Sequence, residues 1–167
     1  MKNLFVLICL FFLCMNVFAG GKLESGSLAP LCSVKKVNYE IVFTYIHGLS
    51  EKAFSEYETD WYKDKPEIVG EIFYDIKNKL KDNFELGEFP DAEYTIRVVV
   101  EDISRKGDFD CSVEVVNKNG SVIAKITDIH SEGGRWGSKL NLIKDGAESI
   151  GKHIGSALKT EIKRAGK

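Results

Sequence analysis

The chain is 167 residues long and 44% apolar, with 23 Lys and Arg against 25 Asp and Glu for a net charge of −2. That length suits one domain with a real hydrophobic core. The charge balance excludes the strongly basic surface of a nucleic-acid binder, and the apolar content excludes intrinsic disorder.

The N-terminus reads as a secretory signal peptide over residues 1–19. Lys2 provides a positive start, residues 4–15 are apolar and uncharged, and Val17 and Ala19 suit the shallow pockets of a signal peptidase. The apolar run is shorter than the roughly 20 residues of a permanent span. Cleavage is expected before Gly20, which places the mature chain in the periplasm or outside the cell. Lipidation at Cys14 is the alternative, although bulky Phe11-Phe12-Leu13 precede it where a lipobox has a small residue. With Cys9 and Cys14 removed, Cys32 and Cys111 remain, and an even count in an oxidising compartment predicts a disulfide between them. The competing reading makes Cys111 a small buried residue on the apolar face of its strand.

Residues 20–33 lack apolar periodicity and read as a flexible mature N-terminus; residues 34–167 then form a single domain. Val37, Tyr39, Ile41, Phe43 and Tyr45 alternate with polar residues and predict a strand that His47-Gly48 ends. Ala53, Phe54, Tyr57 and Trp61 fit a short helix over 50–61 with Ser50 as N-cap. Pro66 suits the first turn of a second helix, whose stripe is Ile68, Val69, Ile72, Phe73, Ile76 and Leu80.

Three alternating segments follow, over 94–101, 109–115 and 122–127, joined by turns at 104–108 and 117–120, where Asn119-Gly120 is a strong hairpin signal. They read as an antiparallel meander. After a loop at 131–137, Leu140, Ile143, Ala147, Ile150, Ile154, Leu158 and Ile162 hold a helical stripe to the end of the chain. Ala147, Gly151 and Gly155 form a neighbouring row of small residues, expected to press backbone against the sheet. The predicted fold is α+β: a mostly antiparallel sheet, made of one N-terminal strand and a three-stranded meander, with two main helices packed on one face.

Leu80, Gly87-Glu88-Phe89 and the strand opening Asp91-Ala92-Glu93-Tyr94 resemble the amino-terminal domain of TolB and similar small exported envelope domains. Asn119-Gly120, Ile150-Gly151 and Ile154-Gly155 extend the resemblance over residues 66–162. Asp91 and Ala92 are reversed relative to the family's order, and no propeller follows. The resemblance implies a periplasmic or surface scaffold that binds other envelope components and has no catalytic residues.

The residues themselves offer no catalytic constellation. Nucleophile elbows, phosphate loops and dinucleotide fingerprints are absent, and His47, His130 and His153 have no metal-ligand spacing, so no cofactor and no metal are expected. Gly133-Gly134-Arg135-Trp136-Gly137 precedes the last helix and would suit a backbone anion nest. Tyr57, Trp61, Tyr62, Arg135 and Trp136 form the candidate binding surface, since aromatics interleaved with charge grip sugars, peptides and partner proteins. Tyr57 and Trp61 have a plainer use, stapling the short helix to the core. The leading function is an exported binding or scaffold domain of the envelope, partnered by another envelope protein or a surface polymer and not by nucleic acid. The rivals are a hydrolase of envelope polymers using carboxylates such as Asp108, Asp110 and Asp128, and a secreted inhibitor or effector.

N-terminal sequencing of exported protein is expected to begin at Gly20; an acylated Cys14 at the new terminus would contradict signal-peptidase processing.

Overall fold

The computed structural model describes residues 20–167; the signal-peptide reading of 1–19 and its Cys14 alternative lie outside the described residues. The strands are β1 (Lys22–Gly26), β2 (Lys36–Phe43), β3 (Tyr45–Ile46), β4 (Leu49–Ser50), β5 (Glu85–Gly87), β6 (Tyr94–Ile103), β7 (Phe109–Asn117) and β8 (Val122–Ser131). The helices are α1 (Glu51–Tyr57), α2 (Trp61–Leu80) and α3 (Lys139–Ala165), with a short 3-10 turn at Ala29–Cys32.

Six strands form one sheet in the order β1-β8-β7-β6-β2-β5, while β3 and β4 make a separate two-stranded ribbon. β2 runs parallel to both β6 and β5; the remaining pairs in the sheet are antiparallel. The sheet is therefore mixed, which corrects the expectation of one N-terminal strand plus an antiparallel meander. The long excursion through α1 and α2 returns the chain beside β2 in the same direction, as parallel pairing requires. The segment 20–33, expected to be flexible, carries β1 and the 3-10 turn, and Leu28 and Leu31 are buried in the core.

The alternation along β6, β7 and β8 turns Ile96, Val98, Val100, Val113, Val115, Ala124 and Ile126 to the helices. Ile68, Ile72, Ile76 and Leu80 of α2 meet them, with Ile143, Ile150, Ile154 and Leu158 of α3. Each such side chain contributes roughly 1.5–3 kcal/mol by leaving water. The other sheet face is solvated and carries a row of alternating charge. Glu40 accepts from Arg97 at 2.8 Å, Arg97 also reaches Glu114 at 3.3 Å, and Lys125, opposite Glu114, pairs with Glu24 at 3.4 Å.

Two helix boundaries differ from expectation. Ser50 caps α1 by accepting from the Ala53 N–H at 3.3 Å, but α1 ends at Tyr57. Trp61 opens α2 instead of closing α1, so Pro66 lies inside α2 and removes one backbone hydrogen bond there.

α2 and α3 run side by side in the same direction. Lys144 pairs with Glu67 near their starts and Lys159 reaches Asp82 at 3.4 Å near their ends. Between these contacts, a Cβ on Gly151 would lie 2.9 Å from the Ile72 carbonyl oxygen, and one on Gly155 would lie 2.7 Å from Lys79 Cβ. Gly151 and Gly155 of the small-residue row thus press on α2 and not on the sheet.

The expected disulfide is also overturned, since Cys32 and Cys111 are both free. Cys32 Sγ lies 3.5 Å from the Ile162 carbonyl oxygen, at the far end of α3. Cys111 is buried two residues from Phe109, whose ring faces Gly146 near the start of α3. From Gly146 to Ile162 the helix rises about 24 Å, far beyond the reach of a disulfide. Burial pushes the Cys111 thiol pKa well above its ordinary value.

The glycine seam gives a three-way test by thermal melts. Gly70 in α2 has open space around its missing Cβ, so Gly70→Ala is expected to gain about 1 kcal/mol from helix propensity. At Gly151 the same gain meets a backbone oxygen that cannot yield, so Gly151→Ala is expected to gain nothing. Gly151→Leu is expected to lose about 1–3 kcal/mol by overpacking. A gain at Gly151 matching that at Gly70 would contradict the close contact.

Candidate functional site

The short ribbon β3–β4 helps to build an apolar-walled pocket. Tyr45 pairs with Ser50 and Ile46 with Leu49, leaving His47-Gly48 as a two-residue turn. Both turn residues are left-handed, with φ of 55° at His47 and 79° at Gly48, the combination that suits a two-residue hairpin. The His47 N–H donates to the Ile103 carbonyl at 2.7 Å, tying the turn to the end of β6.

A run of edge-to-face rings supports the turn from below. The His47 ring meets Phe54 at 5.1 Å, Phe54 meets Trp61 at 5.3 Å, and Trp61 meets Phe43 at 5.6 Å. The Trp61 Nε1–H donates to Glu51 Oε1 at 3.2 Å, so the indole has its polar partner while its rings stay in the core.

The pocket has a volume of about 420 Å³ and is lined by His47, Leu49, Phe54, Tyr57, Arg105 and Lys139. Four elements contribute: the ribbon, α1, the β6–β7 turn and the first residue of α3. Leu49, Phe54 and Tyr57 make its walls apolar. Two cations stand at its margin. Lys139 is paired with Glu58, which raises its pKa. Arg105 is exposed and makes no ion pair among the described residues. Burial first, then Lys139 and Arg105, hold the His47 pKa below its ordinary value, so its imidazole is neutral at pH 7. Its Nε2 is buried without a hydrogen-bond partner, a deficit worth about 1–3 kcal/mol for a polar group in an apolar setting.

The five residues of the predicted binding surface do not assemble. Tyr57 is 74% exposed and lines the pocket, whereas Trp61 is 4% exposed and works as a core support behind it. Tyr62 projects from α2 with Lys63 stacked near its ring. Trp136 is 89% exposed, three residues before Lys139. Arg135 lies in a neighbouring hollow with Lys106, Asp108 and His130.

The glycine loop before α3 has its anion already. Asp108 Oδ1 accepts from the Gly133 N–H at 2.8 Å and Oδ2 accepts from the Ser104 hydroxyl at 2.8 Å. The Gly133 bond, first, and the Ser104 bond lower the Asp108 pKa. Of the other two carboxylates weighed for hydrolysis, Asp110 is hydrogen-bonded to His130 Nδ1 at 2.8 Å. Asp128 sits at a left-handed position where β8 bulges against β7, and both line an open hollow with Glu101 and Asp102. His153 Nδ1 reaches the His130 carbonyl at 2.7 Å. Among the described residues, no group of three His, Cys, Asp or Glu side chains is arranged to hold a metal ion, and no helix is long and apolar enough to cross a membrane.

No family model matches the chain, and neither does any curated protein. Among solved structures, the PelC dodecamer from Paraburkholderia phytofirmans matches 80% of this chain and 97% of its own, at 14% identity and a TM-score of 0.44. A point variant of that dodecamer matches 83% of this chain and 96% of its own, at 17% identity and a TM-score of 0.44. At this level of likeness no property of PelC carries over. Both of these structures are of PelC, and no family model or curated protein of the TolB type matches the chain, so the TolB resemblance is withdrawn. The residues that suggested it have a local use here. Asn38 Oδ1 accepts from the Phe89 N–H at 2.6 Å and its Nδ2 donates to the Phe89 carbonyl at 3.1 Å, which clamps the segment after β5 to β2.

His47, Leu49, Phe54, Arg105 and Lys139 were not singled out from the sequence as site residues. The one usable signal was His47-Gly48, whose left-handed turn joins two strands too short to show alternation.

Proposed function

We propose that the chain is an exported binding domain of the cell envelope that recognises its partner at the His47 pocket. The carrying observation is the pocket itself: apolar walls, two cations from different elements and a buried imidazole nitrogen with no partner. Ligand sites are commonly concave, mostly apolar and equipped with a few convergent polar groups. Export rests on the charge and hydropathy pattern of residues 1–19. The partner is another envelope protein or a surface polymer, met by Tyr57 at the rim and by exposed Trp136 on the adjoining loop. The domain acts by holding that partner and performs no chemistry on it.

The test is a photo-crosslinking side chain placed at Tyr57 in expressing cells, with the exposed Tyr74 on α2 as the comparison site. Discrete adducts to one envelope component from position 57, with few from position 74, are expected in the exported fraction. Equal adducts from both positions would overturn the pocket assignment, and retention of the protein in the cytosol would overturn export.

A further inference from the structure

Resting on that reading of the pocket as the binding site, we infer that its ligand is a monoanionic carboxylate carried on an apolar body. Charge comes first. Of the two cations lining the pocket, Lys139 is neutralised by Glu58 and Arg105 is not, while His47 is uncharged. Among the residues that line the pocket one positive charge, Arg105, is left unpaired, and Asp102 acts on His47 from outside the lining; one carboxylate is all that Arg105 balances, and a dianionic phosphate would leave an excess charge beside an apolar wall. A guanidinium also offers a planar fork that matches a carboxylate in two parallel hydrogen bonds.

The walls decide the remainder of the ligand. Leu49, Phe54 and the face of Tyr57 offer no polar partners for a body rich in hydroxyls. A neutral sugar would therefore lose hydrogen bonds on entry, and a cationic ligand would meet Arg105 and Lys139. A volume of about 420 Å³ accommodates an aryl or branched alkyl group with its acid. His47 also lines a smaller hollow that borders Trp61 and Leu140, and its Nε2 is buried without a partner.

The shared chemistry is found in free organic acids and at the C-terminus of a polypeptide ending in an apolar residue. The probes are 4-phenylbutyrate, its neutral amide, and N-acetylglycylphenylalanine, each titrated into the purified protein with amide shifts followed by NMR. Saturable binding of 4-phenylbutyrate is expected, with the largest shifts at Leu49, Phe54 and Tyr57. The neutral amide and the Arg105→Gln variant are each expected to bind roughly tenfold more weakly, the loss of a charge-assisted contact. Lys81→Gln, exposed at the end of α2 and away from the pocket, is the control and should leave affinity unchanged. Tighter binding of the dipeptide would assign the carboxylate to a polypeptide terminus; tighter binding of 4-phenylbutyrate would assign it to a free acid. Equal affinity for acid and amide, shifts centred elsewhere, indifference to Arg105→Gln, or no binding would overturn the inference. If crosslinks from position 57 persist in that case, the site stands and only the ligand class falls; if they are lost as well, both fall.

Discussion

The close approach of α3 to its neighbours through glycine is the constraint on which the rest of the molecule depends. Along its middle, Gly151 and Gly155 let α2 come within backbone contact, so one helix pair can cover one sheet face. At its start, a Cβ on Gly146 would lie 2.0 Å from the Gly107 carbonyl oxygen, and one on Gly107 would lie 2.3 Å from the Leu142 carbonyl oxygen. That mutual contact brings the β6–β7 turn against the first turns of α3. Arg105 and Lys139 therefore reach one pocket although 34 residues separate them in the chain. Helix propensity alone would favour alanine at positions 146, 151 and 155 by about 1 kcal/mol each; the packing geometry outweighs it.

The pocket is a by-product of how the chain crosses from β2 to β6. Parallel pairing of those strands requires an excursion, and the excursion begins with the β3–β4 ribbon and α1, elements too small to be stable alone. They are held by rings: His47 on Phe54, Phe54 on Trp61, Trp61 on Phe43. A fold whose main sheet and helices bury their apolar faces against each other thus keeps one lightly built corner, and there an unpartnered imidazole nitrogen and Arg105, which makes no ion pair among the described residues, sit together. The opposite sheet face is matched in charge from Glu40 through Arg97 and Glu114 to Lys125 and Glu24, while the hollow beside Glu24 gathers Glu101, Asp102, Asp110 and Asp128, with Asp102 Oδ1 buried and unpartnered.

Much of the fold was legible and little of the site. Strict alternation along residues 37–45, 94–101 and 109–115 and the stripes from Ile68 to Leu80 and from Leu140 to Ile162 mark long elements, because burial on one face leaves a period. Alternation is blind to strand direction, so the parallel β2–β6 pairing could not be read from it. β1 and β5 are short edge strands, Lys-Leu-Glu-Ser-Gly and Glu-Leu-Gly, and carry no period at all. Cysteine parity suggested a bridge, but parity has no geometry, and Cys32 and Cys111 lie at opposite ends of α3. For Trp61 the sequence left a surface aromatic and a core staple both open, and its place at the start of α2 puts it in the core. The pocket residues come from four separate segments and form no motif.

The most direct measurement is the titration of the His47 imidazole by NMR, in the wild-type protein and in Gly146→Ala, which pushes α3 away from Gly107. Below-normal titration of His47 arises from burial together with Lys139 and Arg105, so it reports on the glycine contact and the pocket at once. The expected result is a midpoint below the ordinary 6.5 in the wild type, moving up toward that value in Gly146→Ala as the cations separate and water enters. A wild-type midpoint at or above 6.5, or an unchanged midpoint in Gly146→Ala, would contradict the view that α3's glycine contacts build a buried, cation-flanked site around His47.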